Sequence, residues 1–129
     1  MIEHPYTNFL NQLKLASLQR QIGFLCVIPT RVKPLLRLLV SLNVLRRFYR
    51  LRGQQYRVHP AYTRSRRYAR KIKTYLRSSG KLRMTLKAIQ TLNIHTPHTY
   101  YVLETSQGIM THKEALRHSV GGNLLLIVY

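Results

Sequence analysis

Acidic residues are almost missing from this chain. Of 129 residues only Glu3, Glu104 and Glu114 carry a side-chain carboxylate, against 22 lysines and arginines, for a formal charge of +19. General acid–base catalysis usually draws on paired carboxylates or on a histidine oriented by an acid. Neither arrangement is available here, because Glu104 is expected at a strand end and Glu114 in a helix cap, with no other acid near in sequence. Ser106, in Thr-Ser-Gln-Gly, lacks the glycine two residues earlier that a nucleophile elbow needs. Cysteine is scarcer still: Cys26 alone excludes an internal disulfide and a cysteine-only metal site. Its place in the apolar run Phe24 to Ile28 marks a buried, inert thiol. His95 and His98 have no cysteine or carboxylate neighbour to complete a zinc shell, so they are read as facing solvent or phosphate. A glycine-rich phosphate loop is also lacking. No cofactor, metal or small-molecule substrate is expected, and the chain is not expected to be an enzyme.

Long apolar runs are absent as well. Leu35 to Val40 falls far short of the roughly 20 apolar residues of a membrane helix and is flanked by basic residues. No signal-peptide pattern precedes the first predicted helix. A membrane partner is therefore not expected.

What is present is a hydrophobic content of 45%, too high for a disordered tail, in a chain long enough to bury a core. A compact body with this charge repels itself unless a polyanion neutralises it, so the composition describes a folded module that lives against nucleic acid. Fourteen of the 22 basic residues lie between Arg46 and Arg83, interleaved with Phe48, Tyr49, Tyr56, Tyr62, Tyr68 and Tyr75. Arginine forks match phosphate oxygens, and Arg64, Arg66 and Arg67 are placed there as phosphate contacts. The tyrosines either stack on unpaired bases or belong to the core; spacing alone leaves both readings open. Two alternatives of other classes stand beside this reading. One is a basic interaction protein held to an anionic membrane or to proteins through Tyr and Arg, and the other a general nucleic-acid chaperone. The first would bind anionic vesicles, and the second DNA, RNA and heparin alike.

Along the chain, Pro5 suits a helix start and Phe9, Leu10, Leu13 and Ala16 repeat at helical spacing, in a helix ending before Gly23. Phe24 to Ile28 reads as a buried strand. Leu35, Leu38, Leu39 and Leu42 give a second helix, with Pro34 near its start and Asn43 at its end. Val44 to Leu51 and Tyr56 to Val58 form a hairpin around Arg52-Gly53-Gln54. Tyr68 to Leu76 fits a strand or a helix equally by period. Leu86 to Leu92 is a short helix and Tyr100 to Leu103 a strand. The fold class is α+β: an N-terminal α-β-α-β-β part over residues 1–60 and a C-terminal β-rich part with a short capped helix over residues 61–129.

The last stretch is the most specific. Gly108 after Thr105-Ser106-Gln107 marks a tight turn. Thr111 and Glu114 match a capping box, so a helix begins at about His112 and stops near His118. Gly121 and Gly122 form a corner expected to use positive φ, followed by an apolar strand after Asn123. The hydroxyls of Thr105 and Ser106 and the amide of Gln107 are expected to point at solvent. Here the chain resembles the S-eight family of small-subunit ribosomal proteins, whose members end in a pattern close to Ser-Thr-Ser-Lys-Gly-Val-Met-Thr-Asp, then an alanine, a Gly-Gly-Glu and an apolar strand. Thr105, Ser106, Gly108, Met110, Thr111, Ala115, Gly121 and Gly122 fall on their places without a gap, while Glu104, Gln107, His112 and Asn123 depart from it.

The resemblance implies a structural protein that binds small-subunit ribosomal RNA directly, on an irregular helix of its central domain, and supports assembly of that domain among neighbouring ribosomal proteins. It implies RNA contacts at Thr105, Ser106, Gln107 and Gly108, at Thr30, Arg31 and Lys33 ahead of the second helix, and at Ser78, Lys81 and Arg83. The last three lie in a segment like the family's Ser-x-Pro-Gly-x-Arg turn, with serine in place of proline. It also favours a strand for Tyr68 to Leu76. Bacterial members carry many acids; the loss of nearly all of them here leads to the expectation of a mitochondrial ribosome, with the chain made in the organelle or present in mature form.

Overall fold

A computed structural model describes residues 6–62, 71–75 and 82–129. The expectation for Pro5 lies outside them, as do those for Tyr68 and for the turn before Arg83. The described residues form four helices and two antiparallel sheets, an α+β fold, and group into one compact unit within residues 3–71 and another within 72–129.

In the first unit α1 (Thr7–Leu18) buries Phe9, Leu10, Leu13 and Ala16, the four positions at helical spacing. The Phe9 ring stacks on Phe24 at 6.4 Å. A 3-10 turn (Thr30–Val32) leads into α2 (Lys33–Ser41), which buries Leu35, Leu36 and Leu39. Leu38, expected inside, is only partly covered, and Leu36 takes its place. β1 (Phe24–Val27), β2 (Leu45–Arg52) and β3 (Gln55–Pro60) make a sheet of order β1-β3-β2, with Gly53 at φ 57 in the hairpin turn. Central β3 alternates, with Tyr56, Val58 and Pro60 inward.

The expectation of a fully buried first strand is corrected. Cys26 and Ile28 are inside, but Leu25 and Val27 are 50% and 58% exposed. An apolar run does not show whether both faces of a strand are covered, and in an antiparallel sheet one face commonly is not. Burial pushes the Cys26 thiol up to about 11, as an inert thiol requires.

Three of the four helices, α1, α2 and the last, end in one pattern. Arg20, Asn43 and Ser119 hold φ of 53, 62 and 54, and the next residue's N–H reaches back to close a Schellman turn: Gln21 to Ala16 at 3.0 Å, Val44 to Leu39 at 3.0 Å, Val120 to Ala115 at 3.0 Å.

The second unit holds β4 (Ile72–Thr74), β5 (Leu82–Met84), α3 (Leu86–His95), β6 (Tyr100–Thr105), β7 (Gly108–Thr111), α4 (His112–His118) and β8 (Gly122–Val128). The ambiguity between strand and helix ends at Ile72–Thr74 in a strand paired with β8. β8 is central, in the order β4-β8-β6-β7 with β5 also on β8. Met84, Ile89, Leu103, Met110, Ala115 and Leu124 pack one core beneath α3 and α4. α3 is capped by Thr85, whose hydroxyl accepts from the Ala88 N–H at 3.3 Å. β7 was not foreseen: four strand residues separate the turn from the last helix.

Candidate nucleic-acid interface

The turn at Ser106 is built by its neighbours. Thr105 and Gly108 face each other across β6 and β7, which leaves a two-residue loop of Ser106 and Gln107. The Thr105 hydroxyl donates to the Gly108 carbonyl at 2.9 Å and accepts from the Gln107 N–H at 3.1 Å. Gly108 sits at φ +112, where any side chain would be strained. The expectation that Thr105 offers its hydroxyl outward is thus corrected, since that hydroxyl ties the loop. Ser106 and Gln107 are exposed at its tip.

Beside the loop lies a cleft of about 250 Å3, lined by Arg83, Glu104, Thr105, Ser106, Gly121, Gly122 and Asn123. Register explains the grouping: Arg83 on β5, Asn123 on β8 and Glu104 on β6 stand directly opposite one another across three strands, on one face. Sequence reasoning named Arg83 but read Asn123 only as a departure. The outward phase of β8, set by the glycine corner, is the signal that would have found it.

The glycine corner needs a different physical reason from the one expected. Neither Gly121 nor Gly122 has positive φ. What they lack is room: a Cβ on Gly121 would lie 2.6 Å from the Met84 carbonyl oxygen, and one on Gly122 2.7 Å from that of Glu104 and 2.9 Å from Cγ2 of Thr105. Only bare backbone lets β8 enter between β5 and β6, and the same bareness keeps the cleft floor open.

α4 begins at His112 as expected, with the Thr111 hydroxyl accepting from the Glu114 N–H at 3.4 Å. This is the hydroxyl half of the capping box. His112 itself is fully buried, and its Nδ1 accepts the Tyr101 N–H at 3.1 Å. The Tyr101 ring meets it edge-on at 5.2 Å. Burial, and then the Lys113 charge, push its pKa below the ordinary histidine value, so the neutral ring that can accept is favoured. Lys113 is held over the Tyr100 ring at 4.6 Å and donates to the Pro97 carbonyl at 3.2 Å. Nothing in the local pattern signalled this buried imidazole.

The second unit therefore brings Thr105, Ser106, Gln107, Gly108 and Arg83 to one surface. In the first unit, Thr30 and Arg31 are exposed on the 3-10 turn and Lys33 opens α2. Ser78, Lys81, Arg64, Arg66 and Arg67 lie outside the described residues. The aromatic residues divide: Tyr56 is core, the Tyr62 hydroxyl donates to the Gln21 carbonyl at 2.7 Å, and Tyr49 is exposed. His95 and His98 are exposed. Among the described residues no three His, Cys, Asp or Glu side chains gather as metal ligands, and no helix is long and apolar enough to cross a membrane. The family model described as Ribosomal protein S8 matches residues 5–129, nearly the whole chain.

Proposed function

Because the chain belongs to the ribosomal protein S8 family, and so is a small-subunit ribosomal protein that binds ribosomal RNA and not an enzyme, we propose that the surface around Ser106 is where it recognises that RNA. The observation behind this reading is the loop whose shape is fixed from within by Thr105, leaving the Ser106 hydroxyl and the Gln107 amide exposed beside Arg83 and Asn123. A duplex RNA is read in its shallow minor groove through 2′-hydroxyls and base edges, and short, rigidly held donors and acceptors suit that task. Arg83 matches a phosphate at the rim. Thr30, Arg31 and Lys33 form a further phosphate contact, as do Ser78, Lys81, Arg64, Arg66 and Arg67, which add affinity without sequence information.

The target in this reading is an irregular helix of the central domain, and binding promotes assembly of that domain. The site of action is a mitochondrial ribosome. A charge of +19 and the exposure of Leu18, Ile22 and Ile94, at 75% or more, suit a chain permanently covered by RNA and protein. Ser106→Ala tests recognition: it should weaken binding to the central-domain RNA fragment by about 1–2 kcal/mol, as loss of one polar contact does, with the melting temperature unchanged. Equal binding by variant and parent would remove the role given to Ser106. For the compartment, the chain should be recovered with the small-subunit particle of isolated mitochondria; its recovery only from cytosolic ribosomes would refute the assignment.

A further inference from the structure

The outer face of the β1-β3-β2 sheet has no part in the reading above. Register lays it out row by row: Leu25, Arg57 and Tyr49 stand side by side, then Val27, Gln55 and Arg52, with Arg47 opposite His59 in the row before. Val58, Tyr56 and Cys26 face the other way, into the core. This outer face is uncovered, with Tyr49 43% exposed and Leu25 and Val27 half exposed or more.

Three features define what fits it. The Tyr49 ring lies nearly parallel to the His59 ring, at 5.8 Å and 27°. The His59 ring is itself fixed, because Nδ1 lies 3.2 Å from the Ile22 carbonyl oxygen and so donates to it, and because Gly23 has no Cβ, which would fall 3.0 Å from that ring. Arg47, Arg52 and Arg57 lie in the rows of this face, and the described residues of this unit contain no carboxylate at all. Finally, two clefts of about 700 and 400 Å3 both border Ile22 and His59.

We infer that this sheet face is a second RNA-binding surface, which takes unpaired nucleotides by stacking a base on Tyr49 and holding the flanking phosphates with Arg47 and Arg57. A fixed aromatic pair beside arginines is the platform that single strands use, because every base has a π-face. Leu25 and Val27 provide apolar surface for the sugar. The charge selects a polyanion over a protein, and β2 is a poor edge for an added protein strand, because its pairing is interrupted between Leu45 and Arg47 and again between Arg50 and Arg52.

The test uses the full chain and two labelled probes at about 150 mM salt: a single strand of about 12 uridines carrying 4-thiouridine, and a duplex of the same length. The single strand should crosslink to peptides of residues 45–60. Tyr49→Ala should weaken single-strand binding about tenfold and duplex binding by less than about twofold, whereas Tyr49→Phe, which keeps the ring, stays near the parent. Replacing Arg47 and Arg57 together by Gln should lower the slope of log affinity against log salt by about 1.4, at about 0.7 per single-strand phosphate. Equal losses on both probes, no loss on either, or crosslinks confined to other segments would overturn the inference. So would protection of Tyr49 by a purified neighbouring ribosomal protein with no RNA present. Ser106→Ala should leave single-strand binding unchanged, so failure at the turn and failure at the sheet are told apart.

Discussion

The two sheets of this protein meet their surroundings in opposite ways. Around Ser106 the C-terminal sheet offers few charges and a shape held by the Thr105 hydroxyl, by Gly108 and by the close approaches of the glycine corner. On the N-terminal sheet the outer rows carry Arg47, Arg52 and Arg57 beside an exposed Tyr49 and the apolar Leu25 and Val27. The first arrangement can discriminate between shapes but holds weakly; the second holds strongly but discriminates little.

The largest break in that contrast should come from Gly122→Val. Its side chain has to enter space already held by the Glu104 carbonyl and Thr105, which overpacking places at about 1–3 kcal/mol or somewhat more, since backbone must move. Hydrogen exchange should show the second unit losing protection and α1, α2 and the β2–β3 hairpin keeping theirs. Full stability of this variant would mean that the corner tolerates a side chain and that the precision ascribed to the C-terminal sheet is overstated.

Next in size is neutralisation of Arg64, Arg66 and Arg67 to Gln. Affinity for every RNA should fall, with about 0.7–0.9 lost from the salt slope per phosphate contact removed, while the ratio between cognate and non-cognate RNA stays the same. A change in that ratio would show charge taking part in discrimination, against the division drawn here.

Acidification gives the smallest effect. The folded pKa of His112 is lowered, so the unfolded state takes up the proton first; the stability it contributes is complete above the ordinary value of 6.5 and is lost as pH falls below it. Melting between pH 7.5 and 5.5 should therefore weaken the second unit by up to about 1.4 kcal/mol per pH unit, with the first unit less affected. His112→Asn, which retains an acceptor for the Tyr101 N–H, should flatten that dependence.

Much of this was legible in the sequence, for reasons visible at particular residues. The period of Phe9, Leu10, Leu13 and Ala16, the turn glycines Gly53 and Gly108, and the pairing of Thr111 with the Glu114 N–H are local signals, and local signals set α1, the hairpins and the start of α4. The family pattern singled out the loop at Ser106, and the structure shows a tight two-residue turn there. What escaped depended on contacts far along the chain. Whether Leu25 faces water depends on what covers β1, the reason for Gly122 is a carbonyl on β6, and His112 is buried by Tyr101 eleven residues away. β7 escaped because four residues between a turn and a cap are too few to show a period.

The three helix ends at Arg20, Asn43 and Ser119 carry a practical consequence for the isolated chain. Each L-residue in the left-handed region holds a strain of order 1 kcal/mol, less for asparagine. Glycine at Arg20 and at Ser119 should release much of it, against a smaller entropic loss from the more flexible unfolded chain. Both positions are exposed, and neither lies in the Ser106 loop or in the rows of the N-terminal sheet. The double variant Arg20→Gly, Ser119→Gly should therefore melt a few degrees higher while binding RNA as the parent does, and would be the form to purify when the protein must be studied away from the ribosome.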